Sequence, residues 1–531
     1  MEKIIQKRIN RWLLSILSGV LLIISFPETG SLTPLAFIAW VPLLLVESYF
    51  HTQKKAASLF VHAYLAFFIY NVGTTWWVYY ASEGGAYMAF LANSLLMAIT
   101  FLIYHLLKRK LGSKWNGPIL ICVWLSFEFL HFHWELSWPW LTLGNVFAAH
   151  TSWVQWYSIT GVLGGSLWIL VINLLVFKLA IQPKKILKNT YFILMVILLA
   201  LPVCLSLILY VSKGTGGTPY NVAVIQPNVD PYGEKFVLGN EEQLKTLLDQ
   251  ADKAISKETQ LVIAPETSLY PTSQIYERGL RKELFFHLIN EHRARWANAG
   301  LLIGASTYQI FEYKNSPASR FYQPLNAYVE EYNSSILFDN TAEPKIIHKS
   351  KLVLGVEKIP FVGTFPFLEQ LAIDMEGGSG SLGIEAEPKI FEKNRVKFSP
   401  VVCYESVYGA FLASQAKKGS QFIAIITNDG WWRDTPGYKQ HFQFARLRAI
   451  ENNKYVVRSA NTGKSGVISN RGDVLKETGW WVKTQFNYTI QLNSKQTLYQ
   501  VLGDFIGYFA AVGLGIFLVL RILYLFRRRK A

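Results

Sequence analysis

Over its first two-fifths the chain alternates long uncharged runs with short polar connections, and then its texture changes. Apolar stretches approaching the roughly 20 residues that cross a bilayer fall at 9–26, 33–49, 57–80, 86–107, 117–132, 157–181, 190–211 and 502–526. Between the last two, β-rich runs at 221–226, 261–264, 301–305, 335–338, 396–402, 422–427 and 455–458 alternate with helical patterns at 241–257, 278–298 and 441–453. Continuous apolar strands interleaved with helices predict α/β layers, a sheet covered by helices. The expected organisation is a seven-span membrane domain at 1–212, an α/β domain at 218–495, and a closing transmembrane helix with a basic tail at 500–531.

Charge sharpens this picture. Only 17% of residues are charged and 51% are hydrophobic, yet the net charge is +16. Five short segments, 1–11, 51–57, 108–114, 182–189 and 527–531, together carry a net charge equal to that of the whole chain. They are both termini and every second connection between the apolar runs. The intervening connections at 27–32, 81–85 and 133–155 contain no Lys or Arg. By the positive-inside rule both termini are cytoplasmic, and the α/β region lies on the outer side of the membrane. The first run has the basic flank of a signal peptide but no small-residue cleavage site, so it reads as an uncleaved anchor. No basic face is left over for nucleic acid.

Polar residues inside the spans, such as His62, Asn71 and Asn93, read first as groups that hold helices together. The connection 133–155 concentrates Trp134, Trp138, Trp140 and Trp153, which predicts a lipid-contacting rim at the interface. His131, His133 and His150 lack the cysteine or spaced carboxylate partners of a metal site, and no metal or cofactor is expected.

The chemistry concentrates at three strand ends. The chain has three cysteines; Cys122 and Cys204 lie in apolar runs, which leaves Cys403, at the end of 396–402, as the thiol of the hydrophilic region. Glu266 follows 261–264, and Lys349 follows the run Ile346, Ile347, His348. Singly each has an ordinary reading: a core thiol, a helix-capping carboxylate, a solvated lysine. Together they supply a nucleophile, a proton acceptor and a fixed cation for an oxyanion, the requirements of acyl transfer through a thioester.

Glu, Lys and Cys in this order, each at a strand end, resemble the triad of the nitrilase superfamily, whose fold is a four-layer αββα sandwich. The resemblance extends to Ile426-Thr427-Asn428-Asp429-Gly430-Trp431-Trp432, to the stretch 440–449 and to Arg458-Ser459-Ala460-Asn461-Thr462-Gly463. With the membrane half and the loop Trp138-Pro139-Trp140-Leu141, the whole chain is similar to the apolipoprotein N-acyltransferases. That resemblance implies Glu266 as general base, Lys349 as oxyanion-stabilising cation and Cys403 as nucleophile. It implies Glu357 as a further essential acid, with Tyr404 and Glu405 as supporting or substrate-binding residues beside the cysteine. Where the family pattern reads Leu-Val-Pro-Phe-Gly-Glu, this chain has Leu352-Val353-Leu354-Gly355-Val356-Glu357, keeping the acid in an altered loop. The implied substrates are a phospholipid acyl donor, phosphatidylethanolamine, and a diacylated apolipoprotein acceptor, handled by a monomer. A membrane-anchored nitrilase-type amidase acting on a soluble amide is the alternative. Seven spans exceed what anchoring requires, since one suffices. A non-catalytic receptor on the same fold would have no use for the three residues together.

Overall fold

The computed structural model describes residues 5–181, 189–214, 216–235, 237–297, 299–341, 343–365 and 381–530. The basic connection at 182–189 lies almost wholly outside them. The chain forms two compact units: one comprises residues up to Trp76, Ala86–Ser212 and the chain from Leu502 onward, and the other comprises Trp77–Gly85 and Lys213–Val501.

Among the described residues of the first unit, seven segments are long and apolar enough to cross a membrane: Arg8–Ser25, Thr33–Gln53, Ala56–Thr75, Glu83–Leu111, Val162–Ile181, Thr190–Ser212 and Phe505–Phe526. The stretch expected at 117–132 forms a shorter apolar helix, Asn116–Leu130. It packs on the C-terminal helix Phe505–Lys530, where an added Cβ at Gly507 or Gly513 would collide with Phe129 or Cys122, as at the small-residue contacts of membrane helices. The expected span at 57–80 also ends early, at Thr75. Beyond it Trp77 is buried in the second unit, its ring 4.8 Å from that of Trp432 and its Nε1 donating to Gln440 Oε1 at 3.3 Å.

Polar groups inside the helices pair with one another. Asn93 Nδ2 donates to Asn71 Oδ1 at 2.7 Å, Ser15 Oγ lies 3.0 Å from His62 Nδ1, and the buried Glu47 receives Lys108 Nζ at 2.5 Å. Part of the tryptophan-rich connection lies inside the unit. Trp140, Leu141, Val146 and Phe147 are buried, while Trp134, Trp138 and Trp153 are half-buried. Interior partners satisfy its backbone: Leu143 N donates to Glu128 Oε1 and Gly144 N to Ser166 Oγ, both at 2.9 Å, and Thr33 Oγ1 donates to Val146 O at 3.0 Å. A loop with its polar backbone so paired can be buried.

The second unit is a four-layer αββα sandwich. One eight-stranded sheet holds β1 (Thr218–Gln226), β2 (Leu261–Ile263), β3 (Ile275–Tyr276), β4 (Gly300–Phe311), β5 (Arg320–Tyr322), β6 (Ala327–Phe338), β7 (Lys345–His348) and, far along the chain, β14 (Thr484–Leu492). The other holds β8 (Phe391–Lys393), β9 (Val396–Val402), β10 (Phe422–Thr427), β11 (Val456–Ala460), β12 (Gly466–Ile468) and β13 (Val474–Glu477). The centres are parallel, β1–β2–β4 and β9–β10–β11; the short β3 also pairs parallel with β4, and the remaining strands are antiparallel to their neighbours. Alternate residues of each strand face opposite ways. Val222, Val224, Ile263, Leu302 and Leu337 meet Phe398, Val402, Phe422, Ala424 and Val457 between the sheets. Their neighbours Ile225, Val262, Leu301 and Ile336 face Leu244, Leu247, Phe285 and Ile289 of the helices Asn240–Ala254 and Leu284–Ala294. The helices Gly409–Lys417 and Pro436–Asn452 accompany the second sheet.

Candidate active site

Parallel strands deliver side chains to their carboxyl ends, and both sheets do so here. Past β2, Ala264 and Pro265 lead to Glu266, whose backbone passes so close to β4 that a Cβ on Gly304 would stand 2.5 Å from the Glu266 Cα. Only glycine permits that approach. Past β7 comes Lys349, its N–H donating to Asn333 O of β6 at 2.8 Å. Past β9 the chain turns at Cys403 into a short 3₁₀ helix, Cys403–Val407, and Cys403 holds φ +50°. A left-handed cysteine is uncommon, and such strain clusters at functional sites.

The side chains converge. Lys349 Nζ donates to Glu357 Oε1 at 2.8 Å and to Glu266 Oε1 at 3.2 Å. Asn333 Nδ2 donates to the same two oxygens, each at 2.8 Å, and Asn428 N donates to Glu266 Oε2 at 3.1 Å. Glu266, Lys349, Glu357 and Cys403 all line one cavity of about 660 Å³, with Asn333, Asn428, Trp431 and Trp432. That volume suits a sizeable ligand. The altered loop still delivers its acid: Gly355 adopts φ +81° with its N–H on Lys358 O, and Val353 N donates to Glu357 Oε2 at 2.7 Å.

Burial pushes the Cys403 thiol well above its ordinary range, helped by the Glu266 and Asp429 charges and opposed by Lys349. Burial works to lower Lys349, but Glu266, Glu357 and Cys403 outweigh it and hold the ammonium above its usual value. The resting cavity therefore holds a neutral thiol and a cationic lysine.

The sequence comparisons divide the chain at the same place as its texture. Residues 18–175 match the apolipoprotein N-acyltransferase N-terminal domain, and residues 221–500 match the carbon-nitrogen hydrolase family. An apolipoprotein N-acyltransferase from Chlorobaculum tepidum is 30% identical over 527 residues, covering 97% of both chains. The chain belongs to the apolipoprotein N-acyltransferase family. One from Geobacter metallireducens is 25% identical, covering 94% of this chain and 93% of its own. Among solved structures, a nitrilase-superfamily member from Saccharomyces cerevisiae aligns with 16% identity and a TM-score of 0.36, covering 54% of this chain and 95% of its own. As a family member the chain is an acyltransferase of the bacterial inner membrane, and the reading as a membrane-anchored amidase is not favoured.

Within this acyltransferase site, Tyr404 and Glu405 stand behind the cavity wall. Tyr404 is buried edge-on against Tyr408, with ring centroids 5.4 Å apart. Glu405 ties the ends of β7 and β9 together. Its Oε1 accepts from Ser350 N at 2.6 Å and Lys351 N at 3.3 Å, and its Oε2 accepts from Val402 N at 2.8 Å. Burial pushes this carboxyl up to about 7 against those donors and the Lys349 charge. Glu405→Gln places an amide N–H₂ against one set of backbone donors. A buried mismatch of this kind costs about 1–3 kcal/mol, so the variant unfolds with about that much less stability, measured by chemical denaturation.

Sequence reasoning missed Asn333 as the donor shared by both acids. Its signal is a polar residue on the same inward face of β6 as Leu337. The quoted stretches after β10 and β11 also acquire a place. Asp429 Oδ2 accepts from Arg458 at 2.7 Å, and His441 Nδ1 lies 3.0 Å from Asp429 Oδ1. His441 Nε2 lies 2.7 Å from Ser406 Oγ and 3.2 Å from the Cys403 carbonyl oxygen, to which Ser406 donates at 2.8 Å. This fully buried network fixes the carbonyl of the strained residue from behind.

Proposed function

We propose that the protein moves an acyl chain from a membrane phospholipid to the α-amino group of a diacylated apolipoprotein's N-terminal cysteine, through a thioester on Cys403. The observation that carries this reading is the cluster in which Lys349 and Asn333 bridge Glu266 and Glu357 on the wall of the cavity that also holds Cys403.

The thiol rests protonated, so attack requires a base in reach. Glu266 takes the proton as Sγ bonds to the ester carbonyl carbon, and Lys349 stabilises the oxyanion. Collapse breaks the ester C–O bond, the leaving oxygen takes the proton back from Glu266, and a lysophospholipid departs. The acceptor's neutral amine then attacks the thioester, Glu266 receives its proton, the C–S bond breaks, and the proton returns to sulfur. Glu357 keeps Lys349 charged and aimed throughout both halves.

Phosphatidylethanolamine is the proposed donor and a monomer the proposed working form. Alternating basic connections support cytoplasmic termini with the catalytic unit on the outer side. Substrates anchored by acyl chains can then enter from the outer leaflet. Purified protein incubated with acyl-labelled phospholipid and no acceptor should form a hydroxylamine-sensitive adduct on Cys403 and release an equivalent of lysophospholipid. Lysophospholipid appearing only when acceptor is present would contradict a ping-pong order.

A further inference from the structure

Among the described residues, four charged side chains line the catalytic cavity: Glu266, Lys349, Glu357 and Glu331. The first three are engaged with one another. Glu331 has no side-chain hydrogen bond or ion pair among the described residues. With three carboxylates and one ammonium, the wall carries an excess of negative charge, which favours a cation in the space it encloses.

Strand alternation sets where Glu331 points. On β6, Leu337 faces the second sheet and Asn333 reaches Glu266 and Glu357 from the same face. Glu330 and Tyr332 lie on the opposite face, against Gly383, where an added Cβ would stand 2.4 Å from Glu330 Oε1 and 2.3 Å from the Tyr332 ring, and Tyr332 also borders the cavity at its rim. Glu331 shares the face of Asn333, one two-residue step along the strand. That step is about 7 Å. Glu331 is half-buried on the cavity wall with its side chain unengaged among the described residues, which leaves it open to a cationic ligand with N–H donors.

We infer that Glu331 is a substrate-binding residue that holds a primary ammonium group about one strand step from the Glu266–Lys349–Glu357 cluster. The inference rests on the acyl-transfer reading above, in which two substrates carry that group: the ethanolamine headgroup of the donor, and the N-terminus of the acceptor before it loses its proton. Glu331 joins the reaction by binding and leaves the proton transfers to Glu266.

The test uses the full-length protein as wild type, Glu331→Gln and Glu331→Asp. Two donors carry the same labelled acyl chain, phosphatidylethanolamine and phosphatidylglycerol, and labelled enzyme is chased with a diacylated lipopeptide. Loss of one charge-assisted hydrogen bond corresponds to about tenfold in affinity. If Glu331 holds the donor headgroup, Glu331→Gln raises the KM for phosphatidylethanolamine about tenfold at unchanged saturating rate, leaves phosphatidylglycerol unchanged, and Glu331→Asp recovers part of the loss. If it holds the acceptor, both donors label as in wild type and the lipopeptide KM rises about tenfold. Kinetics of Glu331→Gln equal to wild type at every stage overturn the inference, as does equal loss with both donors, which would mark a structural defect. Wild-type protein that takes label from neither donor overturns the acyl-transfer reading itself.

Discussion

Cys403→Ala retains no acyl label from phospholipid and transfers none to a lipopeptide. Removing the nucleophile of a covalent catalyst costs about six orders of magnitude in kcat, so activity falls to the uncatalysed background. The fold survives the change. Alanine at φ +50° meets the same backbone strain as cysteine, and the Ser406 and His441 contacts engage the residue's carbonyl, which alanine keeps. Thermal unfolding should stay close to wild type, within about 1 kcal/mol. Loss of label with intact unfolding separates a chemical role from a structural one. Label persisting on Cys403→Ala would place the nucleophile elsewhere.

Lys349→Met has the second-largest effect, and it is double. The cation that would meet the oxyanion is gone, a loss of about 10²–10³ in rate for a single stabilising group. The two carboxylates it bridged also face each other with Asn333 as their shared neutral donor. One then takes up a proton, which compromises Glu266 as a base and deepens the loss. Breaking a buried ion pair by removing one partner costs about 3–5 kcal/mol. Adding Glu357→Gln to Lys349→Met removes the second charge and should restore part of the stability without restoring acylation. Chemical denaturation and adduct formation measured on the single and double variants check the two halves separately. Recovery of acylation in the double variant would contradict the role given to Lys349.

The strand ends that carry Glu266, Lys349 and Cys403 were legible because each apolar run stops abruptly at a charged or reactive residue. The cross-connections were not. Of β6 only the apolar end at 335–338 read as strand, since 327–334 border the cavity and carry Glu331 and Asn333 inward, which breaks the hydrophobic pattern. The strand β14 is mostly half-exposed and polar, and it pairs with β1 across about half of the chain. No local signal reports such a partner. Hydropathy also cannot separate burial in a membrane from burial in protein, so Trp77 extended an apparent span although it packs on Trp432. For the same reason Trp140 suggested an interface while lying in the interior.

The most direct measurement of acyl transfer through Cys403 is a chase on isolated labelled enzyme. Protein carrying a labelled acyl chain is freed of donor lipid and given a diacylated lipopeptide. The label should leave Cys403 and reappear on the lipopeptide's α-amine as a hydroxylamine-resistant amide, about one equivalent per labelled enzyme. Label that leaves only as free fatty acid, at a rate the lipopeptide does not change, would make the protein a hydrolase and contradict the account.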